Sequence, residues 1–213
     1  MEEPVKNLAV GLMLAVGVVL GVSGCAGQGE AVPISIALKP SSEKAAGSGA
    51  GGVNVLVTPF GDDRSDRTKL GVHQSLWGRT EPLTLKDGTV GEAAAKAFTE
   101  YLSRKGWRVQ YVPAGSSLAG GDVVISGKVL EASVDAHGAI GSTDIAAKNK
   151  IVVHAKNATD ASSITDTVGS TGTYSVFWYK PEDAEELLSE VMEKNFAKFV
   201  SQTRFDGMAL RFK

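Results

Sequence analysis

The sequence predicts an α+β domain with a mostly antiparallel sheet and two amphipathic helices on one face of that sheet. Short apolar runs with strand-like alternation dominate residues 53–179, and two segments with helical periodicity begin near residues 89 and 181. The 213 residues include 25 glycines and 7% aromatic residues, which is more typical of strands and turns than of a helical bundle. The predicted element order is β–loop–β–β–α–β–β–β–β–α.

The strands are predicted from short apolar or alternating runs bounded by Gly, Pro and polar residues. The first strand of the domain is the apolar run 53–57, which ends at Thr58-Pro59 and is followed by a polar loop over residues 60–67. Residues 31–38 alternate weakly and are compatible with an earlier strand. The further predicted strands are 69–77, 81–85, 107–112, 122–135, 150–156 and 171–179.

Both helices have clear start signals. The segment Thr89-Val90-Gly91-Glu92 has the spacing of a capping box, and Gly106 marks the end of this first helix. Pro181 suits the first turn of the second helix, because a missing N–H costs nothing there. Acidic residues crowd the first turns of that helix and lysines lie near its end, which complements the helix dipole.

The N-terminus has the pattern of a bacterial lipoprotein signal peptide. Residues 8–22 are all apolar or Gly, a run too short to span a bilayer but typical of a signal-peptide core. The run ends in Val22-Ser23-Gly24-Cys25, which matches the lipobox. Small residues let a peptidase reach the backbone, and the Cys25 thiol is the group that forms a thioether to diacylglycerol. Further acyl chains, such as palmitate, on the freed amino group would make the anchoring stable.

The predicted organisation is therefore a signal peptide over 1–24, a lipidated Cys25 with a Gly/Ser/Ala-rich tether over 25–52, and a periplasmic α+β domain over 53–213. The region before the apolar run departs from the usual basic pattern, since Lys6 is opposed by Glu2 and Glu3. An uncleaved anchor or a buried apolar helix is the alternative. Ala26 and Gly27, rather than Asp, follow Cys25, which favours the outer membrane over the inner membrane.

Composition and motifs exclude several classes of function. A net charge of −2 argues against a nucleic-acid partner, and one Cys excludes a disulfide framework and a multi-Cys metal site. His73, His137 and His154 lie far apart, without the spacing of metal ligands. No nucleophile elbow or phosphate-binding loop occurs. We therefore predict a non-enzymatic protein with no metal and no cofactor besides the covalent lipid.

Two clusters are predicted as candidate contacts for a partner. Asp62, Asp63 and Arg64 lie in the densest charged loop, which is interpreted as a structural loop, a partner contact or, least of all, a Ca²⁺ site. The residues Phe177, Trp178 and Tyr179 belong to the one aromatic cluster. Alternation places aromatic side chains on both faces of this strand, so they are either core residues or an exposed binding surface.

The order of parts resembles the YajG-type family of bacterial lipoproteins. Besides the lipobox, the resemblance rests on Val57-Thr58 followed by Asp63-Arg64, on Leu102 followed by Gly106-Trp107-Arg108-Val109, and on the strand that begins Asp122-Val123-Val124-Ile125. It covers roughly residues 53–202. It implies an envelope-anchored domain with no catalytic residues to carry over. The tether before residue 53 and the Gly-rich loop 113–121 depart from the family pattern.

The predicted function is a membrane-anchored binding or assembly module of the cell envelope. It contacts the membrane through its lipid and, in the periplasm, an envelope protein or a lipid partner. The alternative is an accessory subunit of an envelope transport system that binds a lipid or glycolipid in a pocket between sheet and helices. A hydrolase is the third hypothesis and requires titratable residues to converge in a cleft, such as His73 with Asp62 or Asp63.

Overall fold

The computed structural model describes residues 29–39 and 52–213. The predicted signal peptide and lipobox, including Cys25, and residues 40–51 of the predicted tether lie outside the described residues. Two helices are described, α1 (Val90–Arg104) and α2 (Pro181–Gln202). The described strands are β1 (Val32–Ile34), β2 (Asn54–Val57), β3 (Gly61–Asp62), β4 (Gly71–Gln74), β5 (Thr80–Leu85), β6 (Arg108–Tyr111), β7 (Val123–Ala139), β8 (Ser142–Asn157), β9 (Ser163–Val176), β10 (Thr203–Asp206) and β11 (Ala209–Phe212).

Strand β7 is the axis of a nine-stranded sheet. One edge of β7 pairs with β8 in antiparallel register along its full length, with a bulge between Val129 and Glu131. The other edge pairs in succession with three short parallel strands: β2, then β3, then β4. Strand β6 extends the sheet beyond β2, β5 and β1 extend it beyond β4, and β9 extends it beyond β8.

The predicted fold class, a mostly antiparallel sheet with two amphipathic helices, is wrong. The protein is mostly β, and its large sheet is mixed. Five of the eight strand pairs in this sheet are parallel and three are antiparallel. The error has a physical reason: β2, β3 and β4 contain only two to four residues each. Runs this short have no pattern that distinguishes parallel from antiparallel pairing with β7.

Both helices begin at the residues that local capping chemistry predicts. The Thr89 hydroxyl accepts a hydrogen bond from the Glu92 N–H at 3.2 Å, and Gly106 follows α1 with a φ of +82°. Pro181 is the first residue of α2, and the Lys180 N–H donates to the Asp183 carboxylate at 2.8 Å. These contacts satisfy backbone groups that a helix end leaves free.

The core lies between the helices and one face of the long strands. Alternate residues of β7 and β8, from Val123 to Ala136 and from Ile145 to Ala155, are buried on this face. The two helices meet over the sheet, where the Phe98 ring lies 4.9 Å from the Phe196 ring and 5.6 Å from the Phe199 ring. The opposite face of β7, β8 and β9 carries mostly polar and exposed side chains.

Residues 29–39, the first part of the interval predicted as a tether, are part of the folded body. Strand β1 pairs with β5, and Ile34 is fully buried. The Ser35 N–H donates to the Glu185 carboxylate at 2.6 Å, and the Ser189 hydroxyl donates to the Ala37 carbonyl. Helix α2 therefore holds this segment against the domain.

The C-terminal tail forms the hairpin β10–β11. The Asn157 side chain pairs with the backbone of Leu210 in both directions, with distances of 3.1 Å and 2.8 Å. The Phe205 ring lies 4.7 Å from the Trp107 ring. The tail thus covers the end of β8 that is remote from the β7–β8 turn.

Candidate functional site

The charged loop around Asp62 is fixed by internal contacts. Arg64 is 6% exposed and makes two hydrogen bonds to the Asp62 carboxylate, at 2.9 Å and 3.0 Å. It also donates to the carbonyls of Lys69 and Ala132. Partial burial alone would raise the pKa of Asp62, but the hydrogen bonds and charge of Arg64 outweigh it and lower that pKa. Arg64 therefore joins the loop to β7.

Asp63, the remaining residue of the three predicted in this loop, lies in a different environment. Its carboxylate is exposed and pairs with Lys128 at 2.9 Å and with Arg67 at 3.9 Å. Such surface pairs contribute little stability. Of the three predicted residues in this loop, Asp63 alone has a charge on the surface, while Asp62 and Arg64 neutralise each other.

The aromatic segment Phe177-Trp178-Tyr179 follows β9 and has two parts. Phe177 and Trp178 are 69% and 76% exposed, and their rings are in edge contact at 5.2 Å. The Tyr179 ring instead stacks on His73, with centroids 4.1 Å apart and planes 24° apart. Since His73 lies on β4, this stack ties the segment after β9 to the other side of β7.

The environment of Tyr179 keeps its phenol neutral. The hydroxyl oxygen is buried and has no hydrogen-bond partner among the described residues. Burial, followed by the charges of Asp183 and Glu81, raises the pKa of Tyr179 to about 12. The neighbouring His73 ring lies with Nδ1 3.0 Å from the Glu81 carboxylate, which also pairs with Arg79 at 3.1 Å.

Sequence analysis missed three further exposed apolar side chains at the same end of the sheet. Leu76 and Trp77 lie in the turn between β4 and β5, and Ile140 lies in the turn between β7 and β8. Trp77 was predicted inside a strand, but β4 ends at Gln74 and Trp77 is 91% exposed. A signal was present, because Trp77-Gly78 and Ile140-Gly141 place bulky apolar residues in turns, where polar residues dominate.

Strand register brings these segments together. Gln74 pairs with His137, two residues before the end of β7, and a side chain at Gly138 would meet the backbone of Leu76 at 2.7 Å. Thr143, at the start of β8, pairs with Val176, the residue before Phe177. We call this surface the apolar end and define it as Leu76, Trp77, Ile140, Phe177 and Trp178.

The apolar end is distant from the charged loop. Asp62 pairs with β7 at Val129 and His73 pairs with β7 at Ala136. Seven residues of strand separate these positions by about 23 Å. The structure thus does not bring His73 together with Asp62 or Asp63, the pairing given as an example for the hydrolase hypothesis.

A surface depression of about 760 Å³ lies beside the C-terminal half of α2. It is lined by polar side chains such as Glu131, Lys150, Lys194 and Lys198. Phe177 and Trp178 do not line it.

In residues 29–39 and 52–213 we find no group of three or more His, Cys, Asp or Glu side chains that could hold a metal ion. Neither described helix is long and apolar enough to cross a membrane.

Comparison with known proteins gives no family assignment. No family model and no curated protein matches this chain. Among solved structures, a DUF330 protein from Xanthomonas campestris is 10% identical with a TM-score of 0.44, over 82% of this chain and 92% of that one. Lipoprotein GNA1162 from Neisseria meningitidis is 15% identical with a TM-score of 0.36, over 67% and 96%.

A PelC dodecamer from Paraburkholderia phytofirmans is also similar. It is 13% identical with a TM-score of 0.35, over 78% of this chain and 94% of that one. None of these three structures is described as YajG-type, so the resemblance to that family stays a prediction. At these identities and TM-scores, no function is transferred to this chain.

Proposed function

We propose that this protein is a non-enzymatic lipoprotein of the bacterial cell envelope, anchored by lipid on Cys25, and that it acts as a periplasmic binding or assembly module. The observation that carries the proposal is the apolar run ending in Val22-Ser23-Gly24-Cys25. It ends four residues before Gly29, the first residue that the structure describes. Four residues span at most about 14 Å, so the lipid and the domain would be close neighbours.

The side-chain pairing in the domain supports a role without catalysis. Among the titratable groups that the sequence singled out, Arg64 pairs with Asp62, and His73 pairs with Glu81. These pairs join loops and strands to one another. The exposed side chains best suited to contact a partner are instead apolar: they are Trp77, Phe177 and Trp178.

Delivery to the outer membrane, with the domain facing the periplasm, is part of the proposal. It is supported by Ala26 and Gly27 after the lipidated position, where Asp would favour the inner membrane. The anchor itself is tested by fractionating bacteria that produce the full chain. We expect the wild type in the outer-membrane fraction and Cys25→Ser to be lost from that fraction, because a serine hydroxyl at this position cannot form the thioether to diacylglycerol.

Gly24→Ala is the matched control for this experiment, because it keeps a small residue before Cys25 and should behave like the wild type. Retention of Cys25→Ser in the outer-membrane fraction at the wild-type level would contradict anchoring through this residue. The binding role is tested by purifying the lipidated chain in detergent and identifying both proteins and lipids. A stoichiometric envelope protein that is lost with Cys25→Ser is expected; a lipid alone would favour the carrier alternative.

A further inference from the structure

The apolar end concentrates the exposed apolar side chains of the domain. Eight large hydrophobic side chains are exposed in the described part of the chain, and five of them lie here. Trp77 and Ile140 are more than 90% exposed, and each lies in a turn between two strands. A cluster of exposed apolar side chains at one end of a folded domain marks an interaction site.

Gly29, the described residue nearest in sequence to the proposed anchor, lies at this same surface. The Gly29 N–H donates to the Thr80 carbonyl at 2.7 Å, directly after the turn that carries Leu76 and Trp77. Strand β1 then runs parallel to β5, away from the apolar end. Because Cys25 is within about 14 Å of Gly29, a lipid on Cys25 would hold this end of the domain next to the bilayer.

We propose that the apolar end is a membrane-docking face, which lies in the interfacial region of the same bilayer that holds the lipid on Cys25. This inference rests on the proposed anchoring. It adds an orientation of the domain relative to the membrane. The β4–β5 turn, the β7–β8 turn and the segment after β9 contact lipid, and the charged loop is directed away from the bilayer.

The residue types suit the interface between water and lipid. Tryptophan is enriched at this level of the bilayer, because its ring is apolar and its N–H still finds a hydrogen-bond partner. A basic residue stands two positions after each exposed tryptophan: Arg79 follows Trp77 and Lys180 follows Trp178. Their long side chains can extend to phosphate groups while the tryptophans enter the apolar layer.

Apolar contact, rather than net charge, provides the attraction. Arg79 is paired with Glu81, and the acidic residues Asp144 and Glu182 lie near the start of β8 and of α2. A bilayer of zwitterionic lipid should therefore suffice. The anchor makes the docking step intramolecular, so that even a weak contact is populated.

The position of the anchor favours a bilayer over a protein as the occupant. Gly29, at one edge of the apolar end, lies at most about 14 Å from Cys25, which leaves little room there for a folded partner between the domain and the membrane. Two turns and the segment after β9 form the apolar end, and side chains at such positions insert into lipid without exposing unpaired strand edges.

The three tryptophans of the chain provide the test. The full lipidated chain is reconstituted in phosphatidylcholine vesicles whose acyl chains carry bromine, which quenches tryptophan at short range. Three single-tryptophan proteins are made by Trp→Phe substitution, leaving Trp77, Trp178 or Trp107. Trp107 packs on Phe205 in the tail, remote from the apolar end, and serves as the internal control.

We expect Trp77 and Trp178 to lose emission and shift to the blue in these vesicles, and Trp107 to show neither change. Ile140→Glu should reduce the loss for both, because it places a charge at an exposed turn without altering the core. Leu118→Glu, at an exposed apolar residue in the loop after β6, is the matched control and should leave the quenching unchanged.

The outcomes separate this inference from the proposed function. A chain that floats with the vesicles while Trp77 and Trp178 stay unquenched overturns the docking face and leaves the anchor intact. Equal quenching of Trp107 also overturns it, because the whole domain would then be in lipid. A chain whose mass shows no lipid contradicts the proposed anchoring, and the docking inference falls with it.

Discussion

Tyr179 stacks on His73 with ring centroids 4.1 Å apart, and this contact fixes the path of the chain between β9 and α2. His73 belongs to β4 and Tyr179 follows β9, so the stack joins two strands that lie on opposite sides of β7. The exposed Phe177 and Trp178 precede Tyr179 directly. The position of Phe177 and Trp178 on the surface therefore depends on the adjacent contact between Tyr179 and His73.

Tyr179→Ala should destabilise the protein by about 2 kcal/mol, because it removes a half-buried ring and its contact with His73. Tyr179→Phe keeps the ring and removes a buried hydroxyl that lacks a partner among the described residues, so it should not destabilise. The measurement is the free energy of unfolding in urea. Equal losses for both variants would contradict the stacking contact as the stabilising element.

Stability should decrease at high pH through the Tyr179 phenol. Burial and nearby carboxylates raise its pKa to about 12 in the folded protein, against 10.0 for an ordinary tyrosine. The folded state holds this proton more tightly, so the unfolded chain releases it first as the pH rises. The stability present below pH 10 is then lost between pH 10 and about 12.

Tyr179→Phe has no phenol to titrate and should lose less stability than the wild type over this pH window. Urea unfolding at matched pH values measures the difference between the two proteins. Parallel curves would show that the Tyr179 phenol titrates alike in the folded and unfolded states, contrary to its burial in the structure.

Arg64→Ala should destabilise the protein by about 2–3 kcal/mol. It leaves the carboxylate of Asp62 without its bidentate partner and frees the carbonyls of Lys69 and Ala132. Arg67→Ala is the matched control, since Arg67 is exposed and its ion pair with Asp63 spans 3.9 Å. It should cost less than about 1 kcal/mol. A similar cost for both variants in urea unfolding would show that Arg64 has no special structural role.

Gly91→Ala should be destabilising, contrary to the ordinary rule for helices. Replacing Gly by Ala within a helix usually stabilises it by about 1 kcal/mol. Here a Cβ at Gly91 would lie 1.9 Å from the carbonyl oxygen of Phe60, so α1 and the end of the β2–β3 connection must separate. We expect a loss of about 2 kcal/mol.

Ala93→Gly, in the same turn of α1, is the control for this substitution and should follow the ordinary propensity with a loss of about 1 kcal/mol. Thermal unfolding of the two variants and the wild type is sufficient to compare them. A gain in stability for Gly91→Ala would contradict the close approach of α1 to Phe60.

Local chemistry could be predicted from the sequence, and pairing across the sheet could not. Thr89, Gly106 and Pro181 set the helix ends through contacts with adjacent residues, so the boundaries of α1 and α2 are close to the predicted ones. Whether β2 pairs with β7 in parallel depends on residues far away along the chain. The first half of β9 was missed because only Ile164 and Val168 are apolar on its buried face.

The candidate surface was predicted in part. Phe177 and Trp178 were named from their aromatic character, and the structure places both on the surface. Leu76, Trp77 and Ile140 were not named, because a turn has no periodicity from which exposure can be inferred. The proximity of the three segments follows from the register of β4, β7, β8 and β9, which only the folded structure provides.

The intact mass of the full chain after purification from bacterial membranes tests the lipoprotein assignment most directly. We expect a protein that begins at Cys25 and carries diacylglycerol on its thiol, with a further acyl chain on its amino group. An unmodified protein that still contains residues 1–24 would contradict the lipoprotein assignment and the orientation derived from it.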